Sequence, residues 1–597
     1  MLQGSIYHRI RAVLHLWTLQ CLLPVSLTFV LLKSISKWWF NYGNSTFSTE
    51  KAKSSSITSV DKDRQEEKYV RSYTVVMTGG KMSKTLHLAR CLRSFQLSDP
   101  TLKLKIVVLE SQRFRYSATR FSRCVDHFEV ITSPRDSPKS YMDGIYSACK
   151  KYKATHFLPV AAPAEAVYDA KLKERLEDEL GVAHLHMNSE LCDILDNKHS
   201  FGCFLRDTLK LQSLRTHQVS SNEEVRKYNK LFREERNSGK LRRSMILKNL
   251  SYDPIHRLDL FQLPCSDEKL NHYLERVIRD GNPITEEEPW QLQEFLSSGI
   301  EYAAMIVVRK NHLVTMTCCP SSASQLNYIH TEIAPIRNWL NDFMKGLKNS
   351  KFTLTGQLCF DFMVVTEANN KQVAYPIECN PRVHTQCTIY NRDDVRAALG
   401  SLLLENNEER EKLMIELLKR DYAVNKKYHE MPNVYWFYNE FFKIVPNSWL
   451  FAYNGANDFS ERSKILEYMN YQVGYPSVGV IVTGLVYLPA IFLSFAGMLP
   501  VLIVMLVVNL SKMEDQNSDL SFIEHCLAMF CKASFFFDRL VHLQINIEGD
   551  LWEYDPVPFL AKNHIQVASR LMASIRSGIE WKKIDFAIGK VVEVGGD

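Results

Sequence analysis

The sequence predicts a chain of several units in which an α/β domain built on a parallel sheet comes first after an apolar N-terminal stretch. Three observations predict it. Between Arg71 and Met187, short β-branched runs alternate with helical stretches, the pattern of strands joined by crossover helices. Beyond residue 190, apolar strand-like runs end on isolated lysines and carboxylates. Two long uncharged stretches, Ala12 to Leu32 and Val478 to Leu510, depart from the soluble pattern.

At 597 residues the chain exceeds a single core, and at roughly 150 residues per domain it divides into about three or four units. Hydrophobic residues make up 46% and charged residues 23%. Those values are ordinary for a globular protein, so membrane contact must come from local segments. The net charge of +6 is small for the length, and Lys and Arg are interspersed with Asp and Glu without a basic, aromatic-studded motif. No nucleic-acid partner is expected. The 14 cysteines have the spacing neither of a disulfide framework nor of paired zinc knuckles, which points to reduced thiols in a reducing compartment. Cys318 and Cys319 are adjacent and fall on opposite faces of a strand, and the group His525, Cys526 and Cys531 lacks a second ligand pair.

Taken in chain order, Ala12 to Leu32 carries no formal charge. At about 1.5 Å per residue it can cross a hydrocarbon core of roughly 30 Å. Residues 1–40 are therefore expected to anchor the chain in membrane lipid. Arg9 and Arg11 before the stretch and Lys33 and Lys37 after it leave its orientation open. A cleaved signal peptide is the competing reading, although no small-residue cleavage site follows the apolar run. Residues 41–70, rich in Ser, Thr, Lys and Glu, form a tether with too little apolar surface to order itself.

The strands expected in the first domain, residues 71–190, are Thr74 to Met77, Lys105 to Leu109, Thr155 to Val160 and Val182 to Leu185. The first runs into Thr78-Gly79-Gly80-Lys81 and a helix with Leu88, Ala89, Leu92 and Phe95 on its apolar side. Such a turn lets a ligand approach the backbone and the helix N-terminus. Its spacing fits neither a P-loop nor the dinucleotide fingerprint, and a purely structural turn reads equally well.

Four features then occur in one order. Lys198 follows Ile194-Leu195-Asp196-Asn197, and Lys248 closes the apolar run Ser244-Met245-Ile246-Leu247. An ammonium delivered to a cleft by an apolar strand needs an anion, which nucleotide phosphates supply. Next, Gln293-Glu294-Phe295-Leu296 leads to Glu301, seven residues past Glu294. A strand entering a short linker can hold adenine by its backbone and offer a carboxylate to ribose hydroxyls. Last come Gly356-Gln357-Leu358-Cys359-Phe360-Asp361-Phe362 and Tyr375-Pro376-Ile377-Glu378-Cys379-Asn380-Pro381-Arg382. Glu378 and Asn380 are two apart and share a strand face, and a hairpin through Glu367 to Lys371 brings Asp361 alongside. Three oxygen side chains suit magnesium, with phosphates and water completing the octahedron. Arg382 can neutralise a transferring phosphoryl group.

Lys198, Lys248, Gln293-Glu294, Glu301, Asp361 and Glu378-Cys379-Asn380-Pro381-Arg382 together resemble the ATP-grasp superfamily. Within it, the chain is similar to the mycosporine-glycine synthases over about Tyr73 to Thr388 and again in the tail. The stretches that carry this are Gly79-Gly80-Lys81-Met82, Arg257-Leu258-Asp259-Leu260, Leu263-Pro264-Cys265, Ile377 to Arg382, Ile584-Asp585-Phe586, Gly589-Lys590 and Gly595-Gly596-Asp597. Departures are Asn197-Lys198 in place of a more usual Asp-Lys, Pro320 in a Cys- and Ser-rich stretch, and the Val478 to Leu510 segment.

The resemblance implies a Rossmann-like α/β pre-ATP-grasp domain over 71–190 and an ATP-grasp domain of two α+β lobes over 191–395. A helical region over 396–472, an apolar membrane-associated insertion over 473–511 and a tail over 512–597 that packs on the enzyme would follow. It implies ATP and Mg2+ as cofactors, with Mn2+ as a substitute. Lys198, Lys248, Gln293, Glu294 and Glu301 would bind the nucleotide, and Asp361, Glu378 and Asn380 the metal. Lys248 and Arg382 would act in catalysis. The implied partners are a small acidic or enolic acceptor, 4-deoxygadusol, and an amino acid, glycine. The ATP chemistry places the catalytic domain in the cytosol.

Val478 to Leu510 has 33 residues with Pro489 and Pro500 inside. As one helix it would reach about 50 Å against roughly 30 Å of hydrocarbon, so it is expected to enter a membrane and return to the same side.

Overall fold

The structure is a computed structural model and describes residues 2–34, 71–160, 165–250, 260–321, 327–328, 330–367, 370–427, 434–436, 438 and 547–593. The expected linker over 41–70, the Val478 to Leu510 segment, the group His525, Cys526 and Cys531, Arg257 to Asp259 and Gly595 to Asp597 lie outside the described residues.

The chain opens on α1 (Leu2–Cys21), and the helix over His8–Ser34 is long and apolar enough to cross a membrane. It does not stand apart from the fold. Ala12, Leu19, Leu22, Val25 and Phe29 share one core with Tyr438, Phe559, Leu571 and Trp581 of the C-terminal part. Arg11, only 4% exposed, donates to the Trp581 carbonyl at 3.0 Å and lies over the Trp581 ring at 4.0 Å. Hydropathy reports composition but not partners, so this docking could not be read from the apolar run.

The first domain runs β1 (Arg71–Met77), α2 (Ser83–Ser98), β2 (Leu102–Ser111), β3 (His127–Ile131), α3 (Pro138–Tyr152), β4 (His156–Leu158), α4 (Ala166–Leu180) and β5 (Ala183–His184). Its five strands pair in parallel in the order β3-β2-β1-β4-β5. Each of the four anticipated runs contains a strand. The fifth, β3, is an edge strand with no fully buried residue, so it lacks the continuous apolar signature of its neighbours. The turn after β1 sits where the strand order reverses, the usual crevice of a doubly wound sheet. Gly79 has φ +73° there, and a Cβ would meet the Val160 carbonyl at 2.3 Å.

Two helices, α5 (Ser189–Asp196) and α6 (Lys198–Cys203), lead into an antiparallel sheet ordered β6-β9-β7-β8. Its elements are β6 (Thr216–Val219), α7 (Asn222–Asn237), β7 (Met245–Asn249), β8 (Phe261–Leu263), α8 (Asp267–Arg279) and β9 (Trp290–Glu294). Val225 and Phe232 of α7 and Leu270 and Leu274 of α8 pack on Val219, Leu247 and Leu292 of that sheet.

A second antiparallel sheet, ordered β11-β10-β13-β14, is built from β10 (Ile300–Arg309), β11 (His312–Pro320), β13 (Gly356–Thr366) and β14 (Gln372–Asn380). The short β12 (Asn327–Tyr328) and α9 (Ala334–Lys348) precede β13. Cys318 faces the core under α9 and Cys319 the core under α1, on opposite faces as expected, and neither is in a disulfide.

The remainder comprises α10 (Asp393–Leu404), α11 (Glu408–Lys427), β15 (Val434–Tyr435), β16 (Ile547–Glu548), α12 (Val557–Ala561), α13 (Ala568–Ser577), β17 (Trp581–Asp585) and β18 (Lys590–Glu593). β15 pairs in parallel with β16 and antiparallel with β12. Helix α2 is buried on nearly every side because α10 lies along it. Gly400 permits that approach, since a Cβ there would lie 2.2 Å from the Cys91 carbonyl oxygen. Gly400→Ala must separate two helices at a backbone contact and is expected to cost about 1–3 kcal/mol by urea unfolding.

Candidate functional site

The β13–β14 hairpin is set from behind. Phe360 and Phe362 point into the core, where Trp339 of α9 meets their rings at 5.4 and 5.1 Å. Alternation then turns Asp361 to the opposite face. There Asp361 lies directly across from Glu378, and Asn380 donates its amide to Asp361 Oδ2 at 3.4 Å. The register slips after this pair, so that Phe362 faces Pro376 and Ile377 is left over as a bulge. β14 is the sheet edge, where a strand proline and a bulge are tolerated.

That bulge engages the other sheet. The Ile377 carbonyl accepts from the Gln293 amide at 3.3 Å, and Gln293 Oε1 accepts from Lys248 Nζ at 3.2 Å. A buried glutamine thus spans the two sheets and fixes the lysine. Burial holds the Lys248 ammonium below the usual lysine range; Glu378 opposes that, Lys198 adds to it, and Glu301 and Asp361 oppose it more weakly. Lys198, Lys248, Glu301, Asp361 and Glu378 therefore lie within electrostatic reach of one another.

Lys198 is not at a strand end. It begins α6, and its Nζ lies 3.4 Å from Glu378 Oε2. The departure at Asn197 has a physical reading: its side chain caps α6, accepting from the His199 and Ser200 amides at 3.0 Å each. Asn caps as well as Asp, so the helix start is kept with one fewer negative charge beside the lysine. Arg382 pairs with Asp196 at 3.0 Å and donates to Asn380 Oδ1. Burial pushes the Asp196 carboxyl up, and Arg382 pulls it back down.

The other residues expected to bind nucleotide divide. Gln293 points its side chain at Lys248, and the Glu294 carboxylate is taken by Arg243 at 3.0 Å and by the Arg215 amide at 3.4 Å. The backbone amides of Glu294 and Phe295 are also committed, to the Arg215 and Ser244 carbonyls. Glu301 is exposed on β10, its carbonyl accepting from Ser321 N–H at 2.8 Å.

The Gly79-Gly80 turn does not present an open helix N-terminus, because the C-terminal tail covers it. Ser83 N–H donates to the Ala587 carbonyl at 2.8 Å, and Gln566 donates to the Lys81 carbonyl at 2.8 Å. The buried Lys562 is paired with Asp550 at 3.3 Å and also donates to Ser83 Oγ at 2.5 Å. The first turn of α2, which follows, carries a lysine that sequence reading missed. Lys84 is buried and donates to the Val383 carbonyl, next to Arg382, at 2.8 Å. Burial first and Arg382 second lower it to about 7. Asp196 was missed too, since its partner Arg382 lies 186 residues away.

The Lys84 shift has a measurable sign. Between pH about 7 and 10.5 the folded chain has released this proton while the unfolded chain retains it, so stability rises with pH across that window. The stability of the native protein relative to Lys84→Met is expected to climb by up to about 1.4 kcal/mol per pH unit there. Urea unfolding of both proteins through the window checks it.

In class, the site is a cleft between two antiparallel sheets that sets ammonium and guanidinium groups against carboxylates. No protein-family model matches the chain, and no curated protein does. Among solved structures it is similar to N5-carboxyaminoimidazole synthetase from Staphylococcus aureus complexed with ADP, at 13% identity over 54% of this chain and 73% of that one, TM-score 0.35. It is also similar to the biotin carboxylase domain of Hydrogenobacter thermophilus 2-oxoglutarate carboxylase, in complex with MgADP, ADP and bicarbonate. There identity is 11% over 55% of this chain and 70% of that one, TM-score 0.39. A third is phosphoribosylglycinamide synthetase from Anaerococcus prevotii, at 13% identity over 56% and 76%, TM-score 0.38.

Proposed function

We propose that the chain is a magnesium-dependent ATP-grasp ligase that phosphorylates an acidic or enolic oxygen and joins an amine in its place. The observation that carries this reading is the meeting of Lys198 and Lys248 with Asp361, Glu378, Asn380 and Arg382 at the junction of two sheets.

The donor set fits magnesium. Among the described residues no group of three or more His, Cys, Asp or Glu could hold a metal ion. Two carboxylates and an amide leave room for phosphates and water, which a hard, octahedral cation prefers over an all-protein cage. Asp361, Glu378 and Asn380 would hold it, and its chemistry there is to neutralise phosphate charge. Lys198 and Lys248 bind phosphate oxygens, and Gln293 keeps Lys248 aimed across the cleft. Arg382, steadied by Asp196, stabilises charge on the phosphoryl group in flight.

In the reaction, the γ-phosphoryl passes to the acceptor oxygen and ADP leaves. The amine then attacks the activated carbon, a C–N bond forms, the C–O bond breaks, and phosphate departs with that oxygen. The substrates follow from the motif resemblance: 4-deoxygadusol, an enolic vinylogous acid, and glycine, giving mycosporine-glycine. The test is mass spectrometry of products when the full chain, ATP and magnesium are offered a panel of acids and amines. Mycosporine-glycine with stoichiometric ADP is expected. Another conjugate would retain the ligase and replace the substrates, and ATP binding without any product would make the protein a sensor or scaffold.

A further inference from the structure

Residues 2–34, helical but for a turn at Leu22, are apolar on both faces: Ala12, Leu19, Leu22, Val25 and Phe29 are in the core. Arg11, His15, Thr18 and Ser26 face the protein and are buried, while Ile6, Ile10, Val13, Trp17, Leu27 and Leu31 are each 45–59% exposed. At about 100° per residue those six fall within one face of a continuous helix. A surface helix of a soluble domain keeps its outward face polar.

Three further observations say what covers the stripe. First, the helix is fastened along its length, on the buried face by Arg11 to the Trp581 carbonyl and Ser26 to Tyr438 at 2.7 Å, and from the exposed side by Gln20 to the His564 carbonyl at 3.2 Å. A helix tied sideways to the fold at three points cannot also stand across a bilayer with lipid on every side. Second, the chain outside the described residues that contains the uncharged Val478 to Leu510 is rooted in the same place. It leaves beside Tyr438, which bonds this helix, and returns at β16, which pairs with β15. Third, residues 1–34 contain no Asp or Glu, and Arg9 is exposed. Nothing on the helix repels anionic headgroups. The apolar surface also continues onto the tail, where Ile565 and Ile579 are exposed next to His564 and Glu580, partners of Gln20 and His8.

We propose that the helix over residues 2–34 lies in the plane of a membrane, its outward stripe in the headgroup–acyl boundary and its inner face on the enzyme. The chain is then monotopic at this helix, and the side of the molecule formed by α1 and the tail faces the lipid. Apolar area together with attraction to anionic lipid sets the binding of such a helix.

The test uses the full chain and vesicles of phosphatidylcholine with and without phosphatidylserine. Wild-type protein should sediment with both and more strongly with the anionic set. The triple variant Ile10→Asp, Val13→Asp, Leu27→Asp should lose vesicle partition about tenfold or more while keeping its near-ultraviolet circular dichroism. A nitroxide at Trp17→Cys should report the same shallow depth as one at Leu31→Cys. Deep burial at residue 17 with a shallow residue 31 would overturn the in-plane placement in favour of a span. Partition unchanged in the triple variant would overturn the stripe as the contact. A wild-type chain that stays in the supernatant would also sink the proposal, pointing to cover by 478–510, and a dimer that the triple variant splits would point to a second copy.

Discussion

Asp361→Ala and Glu378→Ala are each expected to lower ATP-dependent product formation at least about a hundredfold while the protein stays folded. The two carboxylates face each other across the hairpin, and Asn380 ties into Asp361. Both are partly exposed and sit on the cleft side of the sheet, away from the aromatic packing of Phe360 and Phe362 against Trp339. Truncating them opens no core cavity, so stability should change little. What is lost is negative charge facing Lys198 and Lys248, and with it oxygen donors of the proposed magnesium site. ADP release and product mass, with circular dichroism as the folding control, measure the effect. Full activity in the folded double variant would remove the metal assignment.

How much of this was legible in sequence depended on whether a feature is local. The parallel strands of the first domain could be read because strands buried on both faces are continuous apolar runs. β3 escaped because it is half-exposed at the edge. The shared face of Asp361, Glu378 and Asn380 followed from the two-residue period of a strand, which needs no tertiary information. The bulge at Ile377 did not, although Pro376 hinted that β14 is an edge. Gln293 stands out in sequence as part of a strand entering a short linker, but its side-chain bridge from Lys248 to the Ile377 carbonyl joins three separate strands. Asp196 with Arg382, Lys84 with Val383 and the docking of α1 are likewise contacts between distant segments. The residue types that chemistry demands could be found by spacing; the partners that aim them could not.

The C-terminal tail gives the largest expected loss of stability. Asp555→Ala should destabilise the fold by about 3–5 kcal/mol, because it strands a buried charge. The side chains of Arg90, on α2, and Asp555, in the tail, are each only 2% exposed. Asp555 accepts from Arg90 Nε at 3.2 Å, from the Ser122 hydroxyl at 2.6 Å and from the Arg123 amide at 2.9 Å, while its carbonyl accepts from Arg90 Nη2 at 2.7 Å. Removing the carboxylate leaves the guanidinium with the carbonyl alone and the Ser122 hydroxyl without its acceptor. The contact is also one of those that hold the tail over the Gly79-Gly80 turn and under α1, so proteolysis should begin in the tail of the variant at protease concentrations the native chain survives. If the penalty comes from the orphaned charge, then Arg90→Met combined with Asp555→Leu should be less destabilising than Asp555→Ala alone, since both charges leave together. Urea unfolding of the two single variants and the double variant decides it: a double variant as unstable as the sum of the singles would mean that the two residues do not act as a pair.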